Sequence, residues 1–247
     1  MRLSKSWDVT SKDFKVFSKK KGLIFSILAF PLFISVLLSF VVEFVAQSAG
    51  GGASGATELQ ALLPSFTFYY AIIAAILPTT IASYSLVGEK VEKSLEPLLA
   101  TPMTDEEILL GKGTAAFVPP LGATLLGAAI FMVSTDILTH SKFGYFYFPG
   151  LDAGIILLLL APLSAIMSIE VNVMISSRVS DARVSQQLGL LTVFPMAGAY
   201  LASELGLISL DTATLLIISC VLLIADILLL FATRATFQRD KILTSWK

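Results

Sequence analysis

The 247-residue sequence predicts an all-α polytopic membrane protein with six transmembrane helices. Three observations predict it. Hydrophobic residues make up 55% of the chain and charged ones only 14%, with a mean hydropathy of +0.84, well outside the soluble globular range. Long runs without charge reach the roughly 20 residues that a helix needs to cross about 30 Å of hydrocarbon. Sixteen of the seventeen Lys and Arg residues fall in four clusters that a six-span reading places on one side, leaving only Lys142 on the other. Basic residues flanking spans are retained in the cytoplasm, so both termini are expected there, in a multi-pass protein of the cell membrane.

The elements follow in order. Residues 1–21 read as an amphipathic helix. At 100° per residue Leu3, Trp7, Thr10, Phe14 and Phe17 form one stripe, with Lys5, Lys12, Lys15 and Lys19 on the other side. Such a helix lies in the membrane plane, with Trp7, Phe14 and Phe17 as anchors and the lysines toward anionic lipid and water. Residues 22–247 then form the six-span domain, with spans at 22–44, 62–87, 113–138, 153–176, 188–203 and 212–233. The first is too long for a signal-peptide apolar core and is expected to be retained. The outer connections are a Gly-rich loop (Gly50, Gly51, Gly52, Gly55), the aromatic run from Phe143 to Phe148, which suits a headgroup belt, and a short turn near Asp211. Pro31, Pro78, Pro162 and Pro195 permit kinks within spans. Ala123 with Gly127, and Gly198 with Ala202, permit close helix approach.

The most informative stretch is the charged island at 88–112, between the second and third spans. Val91, Leu95, Leu98 and Leu99 recur at helical spacing, while Glu89, Glu92, Lys93 and Glu96 supply a wet face. Thr104 with Glu107 spells a capping box, strengthened by Asp105 and Glu106 at the positive end of a new helix. The expected path is a helix leaving the second span, a break at Pro97 to Pro102, and a short capped helix that turns at Gly111-Lys112-Gly113 into the third span. An apolar stripe beside a capping box in so few residues is the pattern of a docking surface for a soluble partner.

Several chemistries are excluded. One histidine, His140, and one cysteine, Cys220, leave no multi-His or cysteine metal cluster, no disulfide framework and no ordinary Ser-His-Asp triad. No G-x-x-x-x-G-K-[ST] phosphate loop occurs, so no nucleotide cofactor is expected in this chain; ATP and magnesium, if used, are bound by another chain. Nucleic acid is not an expected partner. Ionisable residues within spans are costly, about 2.5–3.5 kcal/mol at a helix centre on insertion scales, and mark functional sites by default. Glu170 and Asp226, six or seven residues inside their spans, are the candidates, with Asn172 and Ser168 beside them.

The run Gly88-Glu-Lys-x-x-Lys-Ser-Leu-Glu-Pro-Leu-Leu-Ala-Thr-Pro102, followed by Glu107-Ile-Leu-Leu-Gly-Lys112, resembles the first cytoplasmic loop of the type-2 ATP-binding-cassette exporter permeases. The order of parts is similar too, from an amino-terminal helix containing Lys12-Asp13-Phe14 to a first span opening toward Pro31. The resemblance implies a membrane subunit that is not itself catalytic, paired with a separate nucleotide-binding ATPase subunit and with a second permease copy, in a homodimer or a related heterodimer. It also implies that residues 88–112 are a cytoplasmic coupling region, with Glu89, Glu92, Glu96, Leu98, Leu99, Thr101 and Pro102 as the ATPase contact. The connection at 204–211 is short for that family, which leaves the outer gate undefined. Two other readings remain open: a secondary, ion-coupled transporter, which should show two related halves, and a structural membrane subunit that transports nothing. The substrate is not written in the sequence.

Overall fold

Every regular element among the described residues of the computed structural model is helical, and those residues are 3–48, 53–91, 103–144, 146–179 and 181–236. In chain order they form α1 (Leu3–Lys19), α2 (Lys21–Ser48), α3 (Ala53–Val91), α4 (Asp105–Phe143), α5 (Leu151–Arg178), α6 (Ala182–Gly189), α7 (Val193–Glu204) and α8 (Thr212–Thr236). Five of these, α2, α3, α4, α5 and α8, are long and apolar enough to cross a membrane. Their outward faces carry large bare hydrophobic side chains, such as Phe33, Phe40 and Phe44 on α2 and Ile217, Leu228 and Phe231 on α8, as lipid-facing helices do.

The stretch expected as the fifth span, 188–203, is a broken helix. It is divided between α6 and α7 by a 3-10 turn at Leu190–Thr192, and neither piece alone reaches spanning length. Pro195 lacks the N–H that would bond the carbonyl of Leu191, and the backbone tightens just before it. Pro162 in α5 likewise lacks the N–H for the Leu158 carbonyl, but there the backbone widens into a π turn at Ile156–Leu160. Ala182 to Glu204 is nonetheless one run of helical residues. Gln186 Nε2 donates to Thr80 Oγ1 of α3 at 3.0 Å near one end, and the Tyr200 ring lies 4.8 Å from that of Tyr69 near the other.

Polar contacts at both ends fix the up-and-down order. At the end that carries α1, the start of α4 meets the finish of α8, where Arg234 lies 3.5 Å from Glu106. At the opposite end Lys142 pairs with Glu43 at 3.5 Å, Tyr147 Oη donates to the Ala56 carbonyl, and Thr212 Oγ1 donates to Asp152 at 2.6 Å. Gly144 ends α4 in the left-handed conformation at φ 77°, its N–H donating to the His140 carbonyl. The aromatic run then splits: Phe146 is exposed and stacks on His140, whereas Tyr147 and Phe148 turn inward, held by their N–H groups on Asp136 Oδ1 and packed on Phe143 and Phe131. At the start of α8, hydrogen bonds from the Thr214 hydroxyl and N–H hold the Asp211 carboxyl below its ordinary range.

Midway along the bundle Ser35 ties three helices together. Its hydroxyl lies 2.6 Å from the Gly127 carbonyl of α4 and 2.8 Å from Tyr70 Oη of α3, and also meets the Pro31 carbonyl on its own helix. A Cβ on Gly127 would stand 2.8 Å from Pro31 Cβ and 3.1 Å from both the Pro31 carbonyl and Ser35 Oγ, so only glycine lets α2 and α4 touch there. Gly198 has open space around it. Gly127→Leu is therefore expected to destabilise the fold by about 1–3 kcal/mol through overpacking. Gly198→Leu should leave unfolding in detergent unchanged, and equal midpoints for the two variants would contradict this packing.

Candidate functional site

The capping box expected at Thr104 is present: Thr104 Oγ1 accepts from the Glu107 N–H at 3.2 Å and Glu107 Oε2 accepts from the Thr104 N–H at 3.1 Å. The helix it starts does not turn at Gly111-Lys112-Gly113. It runs unbroken from Asp105 to Phe143, about 58 Å at helical rise, far longer than a bilayer core. The expected short capped helix is thus the first turns of α4 itself. Gly111 serves a close approach: a Cβ there would fall 2.7 Å from the Ser6 carbonyl and from Val9 Cβ of α1. Thr10 Oγ1 completes the contact by donating to the Gly111 carbonyl at 2.9 Å.

That approach brings a buried charge onto a buried countercharge. Lys112 is 2% exposed, and its Nζ donates to the Ser85 carbonyl at 3.0 Å and to Ser85 Oγ at 3.2 Å, with Asp13 Oδ2 at 3.7 Å. Ser85 Oγ in turn donates to Asp13 Oδ2 at 2.9 Å. One cluster therefore joins α1, the end of α3 and the start of α4, the two helix ends that flank the charged island. One turn beyond Asp13, Phe17 of α1 packs in one apolar cluster with Ile27, Ile81 and Ile108.

The face of α1 that does this is not the expected aromatic stripe. Ser6, Val9, Thr10, Asp13 and Phe17 are buried, a stripe rotated by about 60° from that of Trp7 and Phe14 at 3.6 residues per turn. Phe17 belongs to both stripes and lies in the protein core, Phe14 is half-buried, and Trp7 is 61% exposed. Of the expected ATPase contacts, Glu89 lies in the last turn of α3, and Glu92, Glu96, Leu98, Leu99, Thr101 and Pro102 lie outside the described residues.

The intramembrane candidates separate into two kinds. Asn172 is fully buried and hydrogen-bonded. Its Oδ1 accepts from Ser83 Oγ at 2.9 Å, its Nδ2 donates to the Ser168 carbonyl at 2.9 Å, and its side chain fills the space that a Cβ on Gly189 would need. Ser176 and Ser185 meet at 2.8 Å one turn further on, so α3, α5 and α6 are stitched together. Glu170 and Asp226 are also buried, but Glu170 Oε2 and both Asp226 carboxyl oxygens have no hydrogen-bond partner among the described residues. Glu170 lines a cavity of about 310 Å³ between α4, α5 and α8. Asp13 was invisible as a site residue in the sequence, because an acid in a basic arm reads as surface, as Asp8 does; only its one-turn spacing from Thr10 and Phe17 hinted at a buried face.

No family model matches the chain. Over 169 residues it is 29% identical to the ABC transporter permease protein NatB of Bacillus subtilis (strain 168), an alignment covering 66% of this chain and 42% of that relative. The chain thus spans less than half the length of the protein it is similar to. The likeness supports an ABC permease, and together with the apolar helices it supports a membrane location.

Removing one partner of a buried ion pair strands the other, at a cost of about 3–5 kcal/mol. Lys112→Met should lower the unfolding free energy in detergent by about that amount, and Asp13→Asn together with Lys112→Met should recover a large part of the loss. Additive losses in the double variant would show that the two residues act independently.

Proposed function

We propose that the chain is the membrane-spanning permease subunit of an ATP-driven ATP-binding-cassette exporter, in which a separate nucleotide-binding subunit hydrolyses ATP and the permease converts its movement into export. The likeness to a bacterial ABC transporter permease supports the class. The motif from Gly88 to Lys112 supports the type-2 subfamily. The absence of a phosphate-binding loop from these 247 residues supports a nucleotide-binding partner.

The observation that carries the reading is the joint of Asp13, Ser85 and Lys112. Residues 92–102 are tethered at one end to α3 just past Ser85 and at the other to α4 just before Lys112. Any displacement imposed on the loop by a soluble partner reaches α1, α3 and α4 together, because the buried pair prevents these ends from separating without exposing a charge. Glu89, Glu92, Glu96, Leu98, Leu99, Thr101 and Pro102 are the contact in this scheme. Trp7 on the outward side of α1 is an anchor in the headgroup layer, with α1 beneath the bilayer.

The topology we propose has six crossings, the fifth being the helix broken between α6 and α7, with both termini cytoplasmic as the distribution of basic residues requires. A second permease copy completes the pathway. In a Cys220→Ser background, a membrane-impermeant maleimide applied to intact cells should label Ser141→Cys and spare Ser18→Cys; labelling at position 18 would refute the orientation.

The coupling assignment has its own test. Leu98→Asp places a charge where desolvation is required and should weaken association with the ATPase by about 2–5 kcal/mol, read as loss of copurification at unchanged permease yield. Full retention of the ATPase by this variant would count against the loop as the contact.

A further inference from the structure

The cavity lined by Glu170 holds a buried carboxylate without a countercharge of its own. Glu170 is 8% exposed, and its Oε2 has no partner among the described residues. The neighbouring Thr233 hydroxyl is directed to the Glu170 backbone carbonyl at 3.4 Å and leaves the carboxylate alone. The basic residue of the lining, Arg234, lies at the rim, half exposed and 3.5 Å from Glu106. An ionised group buried without a partner is costly in protein and more so at membrane depth, so Glu170 either holds a proton or meets a cation that enters the cavity it lines.

The walls say which kind of cation. Leu109, Phe117, Ile166, Ile169, Val173 and Leu230 make them almost wholly apolar. Besides Glu170 and the rim Glu106, the only lining side-chain oxygens among the described residues are the hydroxyls of Thr114 and Thr233, both already donating to backbone carbonyls. A hard divalent ion takes six or more oxygens and cannot be built here. An ammonium group on a hydrocarbon body suits every wall: its charge meets Glu170, its body packs against the aliphatic side chains, and Phe117 contributes an aromatic ring to the lining. At about 310 Å³ the space is at the small end of ligand pockets.

We propose that the cavity between α4, α5 and α8 binds an amphipathic monovalent cation, an ammonium group carrying an alkyl or aryl body, with Glu170 as its countercharge. Two sources share this chemistry: a free amphipathic amine and the amine head group of a lipid in the adjacent leaflet. As a site on a transport pathway the cavity rests on the permease reading; binding itself does not.

The test is calorimetric titration of hexyltrimethylammonium into the full chain in phosphatidylglycerol nanodiscs, with empty discs as background. Saturable binding is expected, weakened by about tenfold or more in Glu170→Gln, a loss worth about 1.4 kcal/mol or more. Leu230→Trp, which fills the cavity and leaves the carboxylate in place, should lose binding as well and decides the matter if Glu170→Gln fails to fold. Repeating the titration with phosphatidylethanolamine in the discs separates the sources: competition identifies the lipid head group, and unchanged affinity identifies a free amine. Equal affinity in the wild type and both folded variants, or uptake that never saturates, would overturn the proposal. Because no ATPase is present, cation binding that persists in a protein unable to recruit an ATPase would sink the permease reading and leave the site standing.

Discussion

The ion pair of Asp13 with Lys112, completed by Ser85, is the constraint from which the arrangement of the α1 end follows. A lysine that is 2% exposed must have its countercharge delivered, and the delivery fixes three elements at once. Helix α1 has to lie close enough to α4 for Asp13 to arrive. That distance requires glycine at position 111, and the contact is confirmed in chemistry by Thr10 bonding the Gly111 carbonyl. The end of α3 has to stand where Ser85 offers both its hydroxyl and its carbonyl. Buried pairs of this kind add little net stability compared with a well-packed apolar replacement, but breaking them is costly. Their effect is to specify one arrangement of the helix ends at which α1, α3 and α4 meet.

Along the rest of the bundle the helices are joined by single hydroxyl and amide contacts between otherwise apolar surfaces. Ser35 links α2, α3 and α4 through Tyr70 and the Gly127 carbonyl, and Asn172 links α5 to Ser83 of α3 while its side chain seats against Gly189 of α6. In hydrocarbon there is no hydrophobic gain from bringing helices together, so small residues that permit contact and buried polar groups that find each other carry the specificity. Glu170 and Asp226 stand apart from this pattern because their carboxyl oxygens have no such match among the described residues. Asn172, by contrast, has both its amide oxygen and its amide nitrogen in hydrogen bonds, to Ser83 of α3 and to the Ser168 carbonyl.

Much of this was legible in the sequence, and what was not has physical causes. The apolar runs located α2, α3, α4, α5 and α8, and the Thr104–Glu107 capping box gave the start of α4 to the residue, because both signals are local. The glycines at 111 and 113 read as a turn, since composition does not distinguish a glycine needed for a left-handed backbone from one needed for helix contact. The buried face of α1 was displaced by about 60° because Asp13 counts as polar in any periodicity argument, and only the distant Lys112 makes it an interior residue. The break between α6 and α7 follows from Pro195, yet proline in a membrane helix is tolerated often enough that its presence alone does not announce one. The open valences of Glu170 and Asp226 became informative only once their neighbours were known to be occupied elsewhere.

Helix α1 is held as part of the bundle by the buried pair and does not merely rest against it. Hydrogen–deuterium exchange of the full chain in nanodiscs, comparing wild type with Lys112→Met, tests it most directly. Slow exchange is expected for the α1 amides around Val9 to Phe17 in the wild type, and fast exchange in the variant while the central turns of α3 and α4 stay protected. Equal protection of α1 in both proteins would contradict it.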